Sequence, residues 1–318
     1  MEGNRMMLKG LIIGTDDGRE LAGRLGREGR LGQQNGKEDL RLEGEPVWEA
    51  WPEQIRDRPS CRISCASALE KQVLGKILES WGYNAQECLC IVETDDAAHA
   101  ARELGIPCVA YLNPALPEGA FAGIGLLLEG FEEVDWPLLC NAHTRALGLP
   151  AVIARTERLV IREMTLEDLD ALYPLYEEPS ARRFVKGLDP DREAERECTR
   201  AYIRFMYGLC QFGMWVLVEK ASGAVIGRAG FGLVDYRGRQ ELDFGYLIGE
   251  AWRGQGLALE AGRAVLAYGR DVLGFERVAA FIHPENEASL GVIKRLGFAK
   301  TESVAVKGER LLCFERSL

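Results

Sequence analysis

The sequence predicts an α/β chain of two domains, on three observations. Its 318 residues exceed the usual span of one hydrophobic core. In the front half, IVETDDAAHAARELGIPCVAYLNP (residues 91–114) reads as strand, helix, Gly105 stop and strand, which is how parallel sheets are connected. In the back half, the alternating strand ELDFGYLIGEA (residues 241–251) runs into the small residues of WRGQGLALEA (residues 252–261) and from there into a helical stripe. The boundary is expected at about residue 150, where Gly148 and Pro150 stop a helix, giving domains 1–150 and 151–318.

The front elements follow in order. LKGLIIG (residues 8–14) is a short apolar strand, and CRISCAS (61–67) and CLCIVE (88–93) are two more. A helical stripe of Leu69, Val73, Leu74, Ile77 and Leu78 lies between them. GIGLLLEGF (123–131) adds a strand, and EVDWPLLCNAHTRALGLP (133–150) a closing helix. Together these predict a Rossmann-like layered domain. The stretch from residue 15 to 48 is rich in glycine and charge, with few apolar anchors to offset the cost of ordering, and is expected to be a mobile loop.

In the back half, Leu242, Phe244 and Tyr246 share one face of a strand, with Glu241, Asp243 and Gly245 on the other. The helix after the small residues carries Leu257, Ala261, Ala264, Val265, Tyr268 and Val272 at 3.6-residue spacing. ERVAAFIHPENEASLGVIKRLGF (276–298) then gives a short strand, a polar turn and a helix closed by Gly297.

Composition narrows the class. Hydrophobic residues at 47% suffice for two cores, and 28% charged residues suit a soluble surface. No apolar run approaches the roughly 20 residues needed to span a bilayer, and MEGNRMMLKG lacks the apolar core of a signal peptide, so no membrane association and a cytoplasmic location are expected. Nine scattered cysteines make a poor disulfide framework. The spacings of Cys61 with Cys65 and of Cys88 with Cys90 differ from paired zinc ligands, so buried thiols and no metal are expected. Residues 151–318 hold 24 Lys+Arg against 25 Asp+Glu, so nearly all of the net charge of −10 lies in the front half. An acidic front half argues against nucleic acid as a partner, which needs a basic face.

The most informative stretch is WRGQGLALEA. Arg253, Gly256 and Ala258 give the spacing R-x-x-G-x-A, in which residues without bulk let backbone N–H groups converge on an anion at a helix start. It reads as a diphosphate cradle. No Lys-Ser or Lys-Thr follows the glycines, which excludes a P-loop, and no G-x-G-x-x-G follows a strand, which excludes the dinucleotide fingerprint.

With these flanks the chain resembles the GNAT superfamily of N-acetyltransferases, in the branch that includes the ribosomal-protein N-terminal acetyltransferases. ARTERLVIREMTLEDLDALYPLY (154–176) looks like the branch's first strand and helix, AVIGRAGFG (224–232) like its third strand, WRGQGLALEA like its acetyl-CoA motif and PENEASLGVIKRLGF (284–298) like its second block. The resemblance covers residues 154–318 and implies an α+β domain around a central, mostly antiparallel, splayed sheet. The front half resembles a degenerate haloacid-dehalogenase-like fold: in GTDDGRE, if Asp17 takes the second acidic position, Thr15 stands where the nucleophile belongs. Without that carboxylate no phosphoryl-aspartate forms, so the domain is expected to be non-catalytic. Glu93, Asp95 and Asp96 read either as cation ligands or as an acidic helix start.

The resemblance implies an acyl-CoA-dependent N-acetyltransferase that moves acetyl from acetyl-CoA to a primary amine by direct attack in a ternary complex. The acceptor is a small-molecule amine, a polyamine or a protein N-terminus. The diphosphate would rest on the N–H groups of Arg253, Gly254, Gln255, Gly256, Leu257 and Ala258. The pantetheine arm would pair with the backbone of Leu247 and Ile248, and Ile248 N–H would donate to the oxyanion. The ammonium nucleophile requires a base, for which Asp243 and Glu241 are candidates, Asp243 aligning with the family's acidic residue. Both also read as solvated residues on an exposed strand face. Asn286 matches the asparagine that bonds the pantetheine, and Ser289 would face the sulfur; both fit helix capping equally. The family's late tyrosine acid is missing from ASLGVIKRLGF. His283 reads as a turn residue, while Trp215, Phe212 and Tyr246 either line the acceptor pocket or belong to the core. The alternative function is a non-catalytic acyl-CoA-binding module.

Overall fold

The computed structural model of the chain describes residues 8–14, 62–66, 69–113, 121, 123–132, 134–306 and 308–318. These form two compact units that meet in sequence between Ala151 and Val152.

The first unit runs β1 (Gly10–Gly14), β2 (Arg62–Cys65), α1 (Lys71–Trp81), β3 (Cys88–Val92), α2 (Asp95–Glu103), β4 (Cys108–Tyr111), β5 (Leu127–Leu128) and α3 (Trp136–Ala146). Its strands are all parallel, in the order β2-β1-β3-β4-β5. Every residue of β1 and β3 is buried, as expected of apolar strands covered on both faces. Ile12, Cys88, Cys90 and Val92 pack with Leu74, Ile77 and Trp81 of α1 and Ala97, Ala98 and Ala101 of α2. Leu11, Ile13, Leu89 and Ile91 pack on the other face with Trp136, Leu139 and Ala142 of α3.

Local chemistry sets the helix ends. Thr94 caps α2 by accepting from Ala97 N–H at 3.2 Å, Asp95 and Asp96 fill its first turn, and Gly105 at φ +73° ends it. The acidic cluster is thereby engaged: Asp95 accepts from Phe121 N–H at 2.9 Å, and Glu93 from Asn113 Nδ2 at 3.1 Å. Burial pushes the Cys88 thiol up to about 12 and raises Cys90 as well. The strand expected over 123–131 shortens to Leu127–Leu128. Thr15, Asp17, Cys61 and the stretch 15–48 lie outside the described residues.

The second unit runs β6 (Val152–Arg155), β7 (Leu159–Arg162), α4 (Leu169–Glu177), α5 (Pro179–Arg182), α6 (Arg192–Tyr202), a π-helical turn (Ile203–Leu209), β8 (Met214–Glu219), β9 (Val225–Tyr236), β10 (Arg239–Ile248), α7 (Leu257–Asp271), β11 (Arg277–Ile282), α8 (Glu287–Arg295), β12 (Ala299–Val306) and β13 (Glu309–Ser317). The eight-stranded sheet has the order β12-β13-β11-β10-β9-β8-β7-β6, with β10 and β11 parallel and the other neighbours antiparallel. Arg237 and Gly238, at φ +54° and +70°, make the two-residue turn between β9 and β10, the conformation that matches strand twist in a tight hairpin.

One irregularity shapes everything that follows. β10 pairs with β9 from Arg239 to Ile248, but with β11 only at Asp243–Ala279. Beyond that bridge the two parallel strands diverge. The core behind them is aromatic. Trp215, fully buried, stands edge-on to Phe231 and Tyr268 at centroid distances of 5.9 and 5.4 Å. It is therefore a core residue rather than a pocket wall. No helix among the described residues is long and apolar enough to cross a membrane.

Candidate active site

Helix α7 begins without a side-chain cap. Gly256 stands at its N-cap with φ +79°, two residues after Gly254 at φ +73°; residues with a Cβ rarely adopt either conformation. The N–H groups of Gly254, Gln255, Gly256, Leu257 and Ala258 have no hydrogen-bond partner among the described residues. Residues 254–256 are exposed. Five unpartnered donors at the start of a 15-residue helix are suited to receive an anion, with the helix dipole adding to their pull. A Cβ on Gly254 would meet nothing within 4 Å, and one on Gly256 only Arg158 Nη2 at 3.8 Å, so the corner is open.

Arg253 must be removed from the expected cradle. Its N–H donates to Glu250 O at 3.2 Å, and its guanidinium turns back to Ile248 O at 2.8 Å, Ser180 Oγ at 2.5 Å and Glu178 Oε2 at 3.0 Å. Arg253 braces the strand end instead of facing a ligand. The cation at the cradle's rim is Arg158, which donates to Gln255 O at 2.9 Å and is held by Glu260 Oε2 at 2.7 Å.

The free edge of β10 leads to this cradle. Gly249 N–H donates to Ile226 O at 2.9 Å, in register with the β9–β10 ladder. Antiparallel bonding alternates, so residues 243, 245 and 247 bond to β9, while 244, 246 and 248 turn their backbone groups toward β11. Past the Asp243–Ala279 bridge no strand among the described residues pairs with Tyr246 or Ile248 on that side. Leu247 is thus corrected: its backbone is committed to Arg228 of β9, and Tyr246 takes its place beside Ile248 on the open edge.

At the fork stands Asp243. Phe281 N–H on β11 lies near enough to its carboxylate to favour the ionised form, and its Oδ1 is sealed from solvent without a partner although the residue as a whole is half-buried. Burial pushes its pKa from 3.8 up to about 7, against the opposing pull of that N–H. A carboxyl that titrates near neutrality is suited to proton transfer. Glu241, two residues back on the same face, is buried in an ion pair with Arg277 at 2.6 Å. That pairing occupies it structurally.

Helix α8 supplies the opposite wall. Asn286 caps it by accepting from Ser289 N–H at 3.1 Å. Ser289 lies beside the hydroxyl of Tyr246, whose pKa is raised by burial against the opposing influence of Ser289. Of the two sequence candidates on α8, Ser289 is thus brought beside Tyr246 of β10, while Asn286 is engaged in capping the helix. His283 is a turn residue: its carbonyl accepts from Asn286 N–H at 2.9 Å and its Nδ1 from Glu285 N–H at 3.2 Å. Phe212 packs edge-on to Phe275 with centroids 5.4 Å apart.

On the face that carries Asp243, the structure adds a group the sequence reading missed. Arg228 is buried against Tyr176, Tyr202 and Tyr207. An arginine between Gly227 and Gly230 in an otherwise apolar strand was the available signal. Tyr202 and Tyr207, at the junction of α6 and the π-helical turn, bracket Met214: Met214 N–H donates to Tyr202 Oη at 2.6 Å, and Tyr207 Oη donates to Met214 O at 2.5 Å.

The acetyltransferase (GNAT) domain family model matches residues 158–299. The chain is 32% identical over 149 residues to the uncharacterized N-acetyltransferase p20 of Bacillus licheniformis, covering 46% of this chain and 81% of that protein. It is 31% identical over 163 residues to the [ribosomal protein uS5]-alanine N-acetyltransferase of Escherichia coli (strain K12), covering 48% of this chain and 81% of that one. Among solved structures, the acetyltransferase from Agrobacterium tumefaciens str. C58 matches with 21% identity and a TM-score of 0.44, covering 51% of this chain and 92% of that chain. Through its second unit the chain belongs to the GNAT family of N-acetyltransferases, enzymes that take acetyl from acetyl-CoA.

Proposed function

We propose that the second unit acetylates the primary amine of a peptide N-terminus or a small molecule, with acetyl-CoA held along β10. The observation that carries this reading is the continuous track from Asp243, past the open backbone of Tyr246 and the N–H of Ile248, whose carbonyl Arg253 holds, to the five unpartnered N–H groups at α7. The N–H groups of residues 254–258 bind the diphosphate, with Arg158 adding charge at the rim. The edge at Tyr246 and Ile248 accepts the pantetheine amides as a neighbouring strand would. Asn286 holds the turn of α8 against that arm.

Chemistry falls to the fork. Asp243 removes a proton from the acceptor ammonium, leaving a lone pair to attack the thioester carbonyl. Ile248 N–H donates to the carbonyl oxygen as negative charge gathers there. Ser289, beside the Tyr246 hydroxyl, passes its proton to the departing sulfur and takes one from Tyr246, which burial keeps protonated for that relay. Relatives acting on ribosomal-protein alanine support a peptide N-terminus as the acceptor. For the first unit we propose a non-catalytic, degenerate haloacid-dehalogenase-like role, supported by the engagement of Glu93 and Asp95 within the fold.

The test is an acceptor screen with mass detection over peptide N-termini, polyamines and amino sugars, beside calorimetric titration of acetyl-CoA. Transfer to an amine is expected. Tight acetyl-CoA binding with no amine acetylated would overturn the transferase reading in favour of a binding module.

A further inference from the structure

The inference concerns the acceptor and rests on the reading of Asp243 as the base. Residues directly opposite in an antiparallel ladder share a face. Gly232 lies opposite Asp243, Gly230 opposite Gly245 and Met214, and Arg228 opposite Leu247. Asp243, Gly245, Met214 and Arg228 therefore look out on the same side of the sheet. A Cβ on Gly232 would meet nothing within 4 Å, and one on Gly245 only Met214 at 3.7 Å. Two missing side chains thus leave a trough beside Asp243, and Asp243, Gly232, Gly245 and Met214 are all partly open to solvent.

Arg228 closes the inner end of this trough. Only 8% of it is exposed. Nη1 donates to Tyr176 Oη at 3.3 Å, Nη2 to Met214 O at 3.0 Å, and the guanidinium lies 5.6 Å from the Tyr202 ring centroid. Nε has no partner, and the cation forms no ion pair with a carboxylate among the described residues. Burying a cation among neutral phenols and a carbonyl is costly unless a counter-charge arrives. Guanidinium stays charged at any physiological pH and presents a fork that matches a carboxylate. Its contact with Met214 O places it level with Gly230, two residues along the strand from the Asp243 row, roughly 7 Å at the usual strand rise.

We propose that Arg228 is an acceptor-binding residue that takes a carboxylate carried a few bonds from the amine to be acetylated. The acceptors are then molecules that hold ammonium and carboxylate together: free amino acids, or peptides whose first residues are acidic. Tyr176 and Tyr202 flank the carboxylate, Tyr176 with its hydroxyl and Tyr202 with its ring. A polyamine, which carries only cations, is disfavoured by the same guanidinium.

The experiment compares kcat/KM for paired acceptors: carboxy-amidated peptides that begin with Asp or Glu against the same peptides beginning with Asn or Gln, and free glutamate and aspartate against their diamides. Wild type is expected to favour the acid over the amide at least tenfold in one of the two sets, and the set that responds identifies the source. In Arg228→Met the ratio falls toward one; in Arg228→Lys, which keeps the charge but loses the fork, an intermediate preference remains. The wild-type ratios need no variant to fold. Acetylation of acid and amide alike in both sets, or a ratio unchanged in Arg228→Met, overturns this proposal and leaves the transferase reading standing. No acetylation of any acceptor overturns both.

Discussion

Replacing Asp243 with Asn separates two consequences of one buried carboxyl. Its pKa rises from 3.8 to about 7 because the fork between β10 and β11 shields it, and a rise of that size corresponds to about 4 kcal/mol of native-state cost for the ionised form. The sign follows from linkage. A carboxyl whose folded pKa exceeds its unfolded one contributes fully below about pH 4, and that contribution is lost as pH rises toward 7. Asn resembles the neutral acid at every pH. Asp243→Asn is therefore expected to match wild type in unfolding free energy near pH 4, to gain on it between pH 4 and 7, and to level off above, by about 4 kcal/mol at most. Above pH 7, where the wild-type carboxyl is ionised, kcat/KM should fall roughly a hundredfold to ten-thousandfold, the usual share of a general base, with loss of the limb near pH 7. Urea unfolding and initial-rate kinetics across pH 4–9 measure both. A stability difference independent of pH, together with an undiminished rate, would refute the assignment. Glu241→Gln is the control: its partner is Arg277, so it should alter stability while the pH–rate limb stays in place.

Three further outcomes are expected. Gly256→Val should weaken acetyl-CoA binding at least tenfold by calorimetry, because φ +79° strains a branched residue and shifts the N–H groups beside it. Arg158→Ala should weaken the same binding several-fold, with a smaller effect in high salt, since the lost contribution is a rim charge. Tyr246→Phe removes the hydroxyl beside Ser289 and should lower kcat more than it changes KM; an altered KM with unchanged kcat would show that Tyr246 only positions the arm.

How much of this was legible in the sequence depended on whether side-chain type or backbone parity carried the information. The layered order of the first unit and the exposed turn at Gly254 and Gly256 followed from spacing, since glycine and apolar periodicity act locally. Leu247 and Ile248 are both apolar neighbours on one strand, and only the ladder's alternation reveals which of them turns its backbone outward. Arg253 was misplaced for a similar reason: a sequence names the guanidinium without saying that Ile248 O and Glu178 will claim it. Trp215 belongs to the core because its strand face meets Tyr268 of α7, a contact between elements far apart in sequence. Arg228 escaped notice because its meaning lies in three tyrosines from two distant segments.

The lone bridge at Asp243–Ala279 has a thermodynamic corollary. On the proposed reading the donor lies down in the unzipped part of this seam, so its occupancy and resistance to unfolding are linked. At a donor concentration a hundred times its dissociation constant, mass action alone adds about 2.7 kcal/mol to the native state. The enzyme is then sturdiest when loaded, and each departing product briefly returns the sheet to its slackest condition.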